Sequence, residues 1–508
     1  MKNFFMRYNE ITGLKDKYKN LNFPSYTLLK FKMAFINNLY FGSSFHFKNK
    51  IFSKKYFKSS NQKKCKLYKN RMKETIESKN SEERKQWFES ILSVREKTED
   101  RVIENWKKTA FNVLQNTPFP SKNDESWKLT DLSNFFKMRF QKKSEKTLSE
   151  SKIIEEYLVP ELKNRIIFID GHYQKQLSNL DNLENKINFL SLDKLNGNKK
   201  IEIFESMLKG ESGMDGGFFS ILNIACLNDI FLLEAKKDIV LDEPIHLIFI
   251  GTNEEVANYV NSRILIIGGE KSSFKIIQHH SSYNQSKYFE NSATNILLKE
   301  EAKLDFSYVN EISEKSCHIS SIHADLNKNS KLNVLTTVFG GFMSRISLGV
   351  DLNGVGAYIE INGASITDNK NINDFHSRIS HNYPECKSSQ NQKNLVSGKG
   401  RSVFAGKIQV QHGSTCTEAD QLCKTLLLSP ESRIDSLPIL EINNEDVKCT
   451  HGATVSDLDQ NQVFYFQSRG VSIESAKFLL TLGFIQEIID RLPPGLRQRL
   501  SDNVVKII

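Results

Sequence analysis

The stretch EINNEDVKCTHGATVSDLDQNQVFYFQSRG, residues 441–470, is where an alternating strand pattern changes to a helical one. After a polar turn at Asn443, a short strand carries Cys449 and His451 two positions apart. Side chains two apart on a strand lie on the same face, so the thiol and the imidazole could hold a soft metal or a cluster between them. Gly452 is predicted to end this strand.

A helix is predicted directly after this strand. Ser456 and Asp457 are candidate N-caps, and the helix would run through Phe464 and Tyr465. Gly470 is the predicted stop, because glycine readily adopts the left-handed conformation that ends many helices. The sequence therefore predicts that residues 456–508 form a C-terminal helical domain.

The chain before this stretch, residues 163–455, is predicted to be a β domain. Short apolar runs such as RIIFID, IHLIFI and RILIIGG alternate with Gly, Asn, Asp and Ser, and a helical period is largely absent. A further helical pattern precedes the strands, with tryptophan, phenylalanine and leucine among charges, and it predicts an N-terminal helical domain over residues 73–162.

The β domain contains a repeat in which a small or polar residue precedes an apolar one and alternation follows. The apolar positions are spaced 30, 28, 26, 46 and 30 residues apart, and the long interval is assigned to a polar insertion from Thr367 to Gly400. A period near 30 in a β sequence favours a stacked parallel β-helix over a sandwich. The repeated pairs are Ser273-Phe274, Lys303-Leu304, Lys331-Leu332, Ala357-Tyr358, Val403-Phe404 and Arg433-Ile434.

The C-terminal helical domain is predicted to contain a helix capped by Ser472 and stopped by Pro493-Pro494. Its apolar residues form one stripe, which usually packs against the rest of the same domain. The stripe comprises Ala476, Leu479, Leu480, Phe484 and Ile488.

The positive charge of the chain is concentrated at its start. The formal net charge is +10, but residues 1–72 hold 17 Lys or Arg against two acidic residues, which leaves the remainder at −5. A basic segment without a core-forming period is typical of a targeting extension, removed or disordered in the working protein, with a disordered basic arm as the alternative. The acidic remainder argues against a nucleic-acid-binding protein.

Several kinds of site are excluded by the motifs that the sequence lacks. The seven cysteines form no CxxC pair, which indicates a reducing compartment and no disulfide framework. No GxxxxGK[ST], GxSxG or HExxH motif occurs, so neither a nucleotide nor an autonomous catalytic centre is predicted on this chain. No apolar run is long enough to predict an integral membrane segment.

At several separate stretches, in the same order, the sequence resembles the SufB/SufD family of iron-sulfur cluster assembly proteins. These are ESWKLTDLS, FIDGHY, EPIHLIFI, GGFMSRISLGVDLNG, GKGRSVFAGKIQV, LLLSPESRIDSLPILEI and the run from Asp446 to Gly470. The resemblance implies a mainly β fold, with a right-handed parallel β-helix core flanked by N-terminal and C-terminal helical domains. It also implies a non-enzymatic scaffold that pairs with a SufB-like paralogue, docks a SufC-like ATPase at the C-terminal helical domain and works in the plastid stroma.

The resemblance assigns roles to the two residues of the 441–470 stretch. It implies that His451 handles iron or an iron-sulfur cluster, transiently, at the interface with the paralogue, and Cys449 is the second candidate. From the residues alone, the favoured interpretation is that Cys449 is a buried small side chain and His451 a hydrogen-bonded turn residue. SufB-type members carry ligands where this chain has Ala419 and Gly452, so the resemblance is to the SufD-type branch.

Other polar residues are weighed as sites and assigned structural roles. Cys416 and Cys423 match no standard zinc spacing. His376, His381 and Asp374 could hold a metal by composition, but a polar loop crossing the coils is the favoured interpretation. Three arginines are predicted to flank turns and bind the backbone: Arg263, Arg345 and Arg378.

Two classes of function remain open. The first is the scaffold implied by the resemblance, and the second is a carbohydrate-active β-helix enzyme such as a polysaccharide lyase or hydrolase. The second class needs paired Asp or Glu on successive coils, whereas the candidate faces show Ser, Lys and Asn. An assay of bound iron and sulfide, with and without the paralogue, discriminates the two.

Overall fold

The computed structural model describes residues 81–141, 154–181, 183–195, 200, 217–252 and 257–506. The predicted targeting extension, residues 1–72, lies outside the described residues. The helices are α1 (Ser81–Val94), α2 (Arg101–Leu114), α3 (Phe218–Ala225), α4 (Gln460–Gln467), α5 (Ile473–Ile489) and α6 (Pro494–Lys506), with short 3-10 turns at Phe135–Lys137 and Leu192–Lys194.

The strands are β1 (Arg165–Ile169), β2 (His172–Tyr173), β3 (Ile187–Ser191), β4 (Phe231–Ala235), β5 (Ile245–Gly251), β6 (Asn258–Gly268), β7 (Ser273–Ser282), β8 (Tyr288–Leu298), β9 (Lys303–Glu311), β10 (Cys317–Leu326), β11 (Lys331–Val338), β12 (Met343–Leu352), β13 (Tyr358–Thr367), β14 (Ile372–His381), β15 (Lys387–Val396), β16 (Arg401–Val410), β17 (Thr417–Leu427), β18 (Arg433–Ile442) and β19 (Val447–Asp457).

Two long sheets face each other across the core. Sheet A has the order β19-β17-β15-β13-β11-β9-β7-β5-β1-β2, and sheet B has the order β18-β16-β14-β12-β10-β8-β6-β4-β3. From β5 onward the strands alternate between the sheets and pair in parallel with the strand two ahead, which makes each coil one strand of each sheet. The prediction of a mainly β fold with a parallel β-helix core between helical segments is confirmed.

The coil period is more regular than the sequence repeat indicated. Strands β14 and β15 lie between Thr367 and Gly400, so the polar insertion predicted there is wrong. The interval of 46 residues arises because Tyr358 belongs to sheet A whereas Phe404 belongs to sheet B. The strands were hidden because β15, KSSQNQKNLV, points polar side chains into the core as well as outward.

The lumen between the sheets is apolar over most of its length. Inward side chains such as Leu304, Leu332, Ile359 and Phe404 are buried and form one continuous cluster. Each fully buried side chain of this size contributes about 1.5–3 kcal/mol relative to exposure. Alternation along each strand sends the intervening side chains outward, where the two helical layers cover them.

The N-terminal helices cover the outer face of sheet B. Trp87 is fully buried in an aromatic cluster with Phe135 and with Phe289, which projects outward from sheet B. The predicted N-terminal helical domain begins with two helices, α1 and α2. A new helix starts at Arg101 because Asp100 caps α2, accepting from the backbone N–H of Val102 at 2.8 Å.

The C-terminal helices cover the outer face of sheet A. Ile485, Ile488 and Ile489 are buried against outward residues of that sheet, including Leu395. Leu479, predicted to lie in the buried stripe, is instead exposed. Ser472 caps α5 as predicted, accepting from Ser475 N at 3.1 Å.

The end of α5 differs from the sequence prediction. The helix ends at Ile489, before the two prolines, and Pro494 begins α6 because proline is compatible with the first turn of a helix. Within the described part of the chain, no helix is long and apolar enough to cross a membrane.

Candidate functional site

Cys449 and His451 lie on β19, the last strand of sheet A. They are in register with Ala419 and Gln421 of β17, whose side chains are buried in the lumen. Cys449 packs against the edge of the lumen core, and His451 follows two positions later on the same strand. Both residues therefore belong to the lumen-facing side of the last coil.

The last coil is open at this end. β19 and β18 are the outermost strands of their sheets, and neither pairs with a further strand among the described residues. His451 is exposed and Cys449 is half-buried, and burial raises the pKa of the Cys449 thiol. Neighbouring apolar side chains of the two edge strands, Ile442 and Val455, are also exposed.

β19 is longer than the sequence predicted. Gly452 does not end it, since parallel pairing with β17 continues as far as Asp457. The prediction of Ser456 and Asp457 as N-caps is therefore wrong. Asp459 caps α4 instead, accepting from Asn461 N at 2.9 Å.

The two other cysteines of this region occupy different positions. Cys423 is buried in the lumen one coil earlier, in register with Ala453, and Asn394 Nδ2 donates to its sulfur at 3.4 Å. Cys416 is exposed at a turn, with its Sγ 3.4 Å from a carboxylate oxygen of Asp446, which raises the pKa of its thiol.

The metal site considered for β14 does not assemble as a set of three. Asp374 Oδ1 lies 2.9 Å from His376 Nε2, and both face outward from sheet B. His381 faces the lumen, where its Nε2 is 2.9 Å from Ser388 Oγ. Burial lowers the pKa of His381 to about 4. The segment is a strand, not the loop that the sequence favoured.

The three arginines lie within strands and bind side chains, so the prediction that they flank turns is wrong. Arg263 Nε donates to Asn223 at 2.8 Å, and Arg378 donates to Asp351 at 2.8 Å. Arg345, fully buried, is ion-paired with Asp374.

A buried polar cluster that the sequence analysis missed lies deeper in the lumen. It consists of His280 on β7, Glu290 on β8 and His318 on β10, whose nearest ligand atoms lie within 4.8 Å of one another. Burial would raise the pKa of Glu290, but the two histidines hold it at about 2. No fixed sequence spacing marks this set; only the coil register, which pairs His318 with Glu290, could have revealed it.

Comparison with known proteins identifies the family. A model described as SUF system FeS cluster assembly, SufBD core domain, matches residues 249–484, and one described as SufBD protein N-terminal region matches residues 78–247. Together they span the fold from the N-terminal helices into α5. The chain belongs to the SufBD family.

Relatives of this SufBD protein are similar to it in sequence over most of their length. An iron-sulfur cluster assembly SufBD family protein of Synechocystis is 29% identical over 78% of this chain and 89% of its own length. The chloroplastic protein ABCI7 of Arabidopsis thaliana is 27% identical over 77% and 83%. The iron-sulfur cluster assembly protein SufD of Escherichia coli is 25% identical over 76% and 89%.

Family membership decides between the two function classes left open by the sequence. A SufBD protein is an iron-sulfur cluster assembly protein, and the carbohydrate-active interpretation has no support from the family match.

Proposed function

We propose that this chain is a non-enzymatic, SufD-type scaffold subunit that pairs with a SufB-like paralogue and takes part in assembling iron-sulfur clusters. The observation that carries the proposal is the open last coil. There the exposed imidazole of His451 and the half-exposed thiol of Cys449 lie two positions apart on β19, an edge strand that pairs with β17 on one side only. Imidazole nitrogen and thiolate sulfur are both ligands for iron.

The donor set of this chain is incomplete by itself. Ala419 occupies the lumen-side position next to Cys449, and Gly452 follows His451, so neither position adds a ligand. Further ligands must come from another surface for a cluster to be held. We infer that His451 binds iron or a cluster together with a cysteine of the paralogue.

The edge strands supply a surface for that paralogue. An unpaired strand presents backbone N–H and C=O groups that a second chain can pair with, and β18 and β19 present two such edges side by side. Exposed Ile442 and Val455 add apolar area to this surface. The SufB-like chain would thus continue the coil stack and bring its ligands to His451.

The test is replacement of His451 in the co-expressed complex. His451→Ala should leave the complex assembled, because the side chain is exposed, but should strongly lower the iron and sulfide bound per complex. Cys449→Ala should have a weaker effect. Thr450→Ala is the matched control, since Thr450 is exposed on the same strand but faces the other side.

Two results would contradict this assignment. Normal iron and sulfide content in the His451→Ala complex would make His451 a structural residue only. An equal loss in the Thr450→Ala complex would show that the strand, and not the imidazole, is what matters.

We also propose that the C-terminal helices dock a SufC-like ATPase, because this chain has no P-loop of its own. Large apolar side chains of α4 and α5 are exposed: Phe464, Tyr465, Ile473 and Leu479. Deletion of this region is an unsuitable test, since α5 and α6 cover sheet A and their removal would expose its outer core.

Point substitutions test ATPase docking directly. Phe464→Asp and Leu479→Asp should each reduce co-purification of the ATPase while the thermal unfolding midpoint stays unchanged, because both side chains point to solvent. Asp substitution of Tyr383, an exposed aromatic residue on a coil turn, serves as the control. Undiminished ATPase capture by the double variant Phe464→Asp/Leu479→Asp would place the docking surface elsewhere.

The location that we propose is the plastid stroma, with residues 1–72 as the targeting extension. Two observations support it: the basic charge of that segment and the similarity to a relative named as chloroplastic.

A further inference from the structure

The cluster of His280, Glu290 and His318 has the composition and arrangement of a metal site. Glu290 and His318 are register neighbours on sheet B, and His280 reaches across the lumen from sheet A. His280 Nδ1 lies 2.8 Å from one carboxylate oxygen of Glu290, and His318 Nδ1 lies 3.2 Å from the other. Each imidazole thus turns the same nitrogen toward the carboxylate.

The cluster is enclosed and its charge is not balanced by a basic side chain. His280 and His318 are fully buried and Glu290 is 2% exposed. Among the described residues, the ion-pair contacts of Glu290 are with these two histidines alone. Buried carboxylates are normally paired with a cation or bound to a metal, so a divalent cation would provide the missing charge.

One nitrogen of the cluster is without a satisfactory hydrogen bond. His318 Nδ1 is buried and makes no hydrogen bond of acceptable geometry within the described part of the chain, although it points at Glu290 across 3.2 Å. A buried nitrogen left in this state loses the hydrogen bond that it would make to water in the unfolded chain, which destabilises the folded state. A metal ion between Nδ1 and the carboxylate would remove that cost.

The far nitrogen of each ring contacts a neutral side chain that carries an oxygen able to accept a hydrogen bond. Tyr308 OH lies 2.5 Å from His318 Nε2, and Gln278 Nε2 lies 2.9 Å from His280 Nε2. The tyrosine oxygen can accept the Nε2–H that a metallated imidazole must donate. The Gln278 amide can turn over to do the same, because its other partner, the hydroxyl of Thr294 at 2.9 Å, can accept as well as donate.

We propose that His280, Glu290 and His318 bind one divalent first-row transition metal ion, such as Fe²⁺ or Zn²⁺, inside the lumen. Two imidazoles and one carboxylate are ligands that suit these ions. The site is separate from His451: six strand spacings of sheet A lie between β7 and β19, roughly 29 Å. This inference does not depend on the function proposed for Cys449 and His451.

The experiment measures metal in the full chain. Because the ligands are buried, the ion enters during folding, so the chain is expressed in medium containing Fe²⁺, Zn²⁺ or Co²⁺ and purified without oxygen. Metal per chain is determined by elemental analysis. About one ion per wild-type chain is expected, and the medium in which uptake is complete distinguishes iron from zinc.

Matched variants locate the ion. Glu290→Gln and His318→Gln should each retain less than about a tenth of the wild-type metal, and Tyr308→Phe should weaken binding by about 10- to 100-fold, as loss of an outer partner does. His381→Gln is the control. His381 is another buried histidine of the lumen, but it lies outside the cluster, with its Nε2 2.9 Å from Ser388 Oγ.

Three results would overturn the proposal. They are wild-type metal content equal to that of Glu290→Gln, loss of the metal in folded His381→Gln, and a Co²⁺ absorption spectrum with the intense bands of thiolate ligands. The spectrum decides even if Glu290→Gln does not fold, since imidazole and carboxylate ligands give only weak visible bands.

Discussion

Replacing Asp374 with asparagine should weaken the attachment of the N-terminal helical layer to the β-helix. Asp374 and Arg345 are both fully buried and form an ion pair, and Thr130 of the N-terminal segment donates to the same carboxylate. The Arg345 guanidinium also lies 3.9 Å from the centre of the Trp127 ring. The carboxylate therefore connects sheet B with the layer that covers it.

The expected loss of stability follows from this burial. Removing one partner of a buried ion pair costs about 3–5 kcal/mol, because the other charge stays behind without compensation. Asparagine keeps an oxygen that can accept from Arg345, so we expect the lower end, about 3 kcal/mol, for Asp374→Asn. The control is Glu431→Gln, because the pair of Glu431 with Lys399 is exposed on both sides and its loss should change the stability little.

The measurement is urea unfolding followed by tryptophan emission and by far-ultraviolet circular dichroism. All three tryptophans, Trp87, Trp106 and Trp127, lie in the N-terminal helical layer, so emission reports on that layer while dichroism reports mainly on the strands. Asp374→Asn should shift the emission midpoint to lower urea more than the dichroism midpoint. Equal shifts for Asp374→Asn and Glu431→Gln would refute the reasoning.

The same variant predicts a pH dependence. Burial would raise the pKa of Asp374, but Arg345, His376 and Thr130 together hold it well below its usual value. A carboxylate with a lowered pKa stabilises the folded state above its unfolded pKa of about 3.9 and loses that contribution as the pH falls. The gap between wild type and Asp374→Asn should thus be constant from pH 7 to about 5 and narrow below about 4.

The remaining predictions concern the lumen, the C-terminal helices and the leader. Gly363→Ala should destabilise the chain by about 1–3 kcal/mol, because the added Cβ would lie 1.9 Å from Gln392 Oε1 inside the lumen. Gly483→Ala should stabilise it by up to about 1 kcal/mol, since a Cβ there meets nothing within 4 Å and alanine favours the helix; both changes are read from thermal and urea unfolding midpoints. A fluorescent reporter fused to residues 1–72 should enter plastids, and cytosolic fluorescence would count against the targeting role.

The arginine–aspartate pair also shows where sequence reasoning stopped. Arg345 and Asp374 are 29 residues apart, one coil, and register pairs them on neighbouring strands. The assignment of residues 367–400 to an insertion left out β14 of sheet B and β15 of sheet A. Asp374 was therefore assigned to a loop, and its pairing with Arg345 was missed. Correct reading of the period would have paired them.

The candidate site at Cys449 and His451 was predictable because it depends on local spacing. Cys449 and His451 are two apart on one strand, and alternation alone gives them a common side. The length of the strand was not predictable, since Gly452 tolerates extended backbone once β17 supplies hydrogen bonds along its whole length. His451 is exposed because no further strand follows β19 in its sheet among the described residues. The local sequence pattern does not show where the sheet ends.

The sequence by itself favoured the β-helix, because alternation within strands and a period near 30 residues are properties of the chain alone. It also predicted helices on both sides of the β domain and placed Cys449 and His451 on one face of a strand. Only the tertiary structure decided which side chains meet across the lumen, as His280, Glu290 and His318 do from three strands. Such meetings depend on the register of two sheets, and register is set by the packing of all coils together rather than by any one segment.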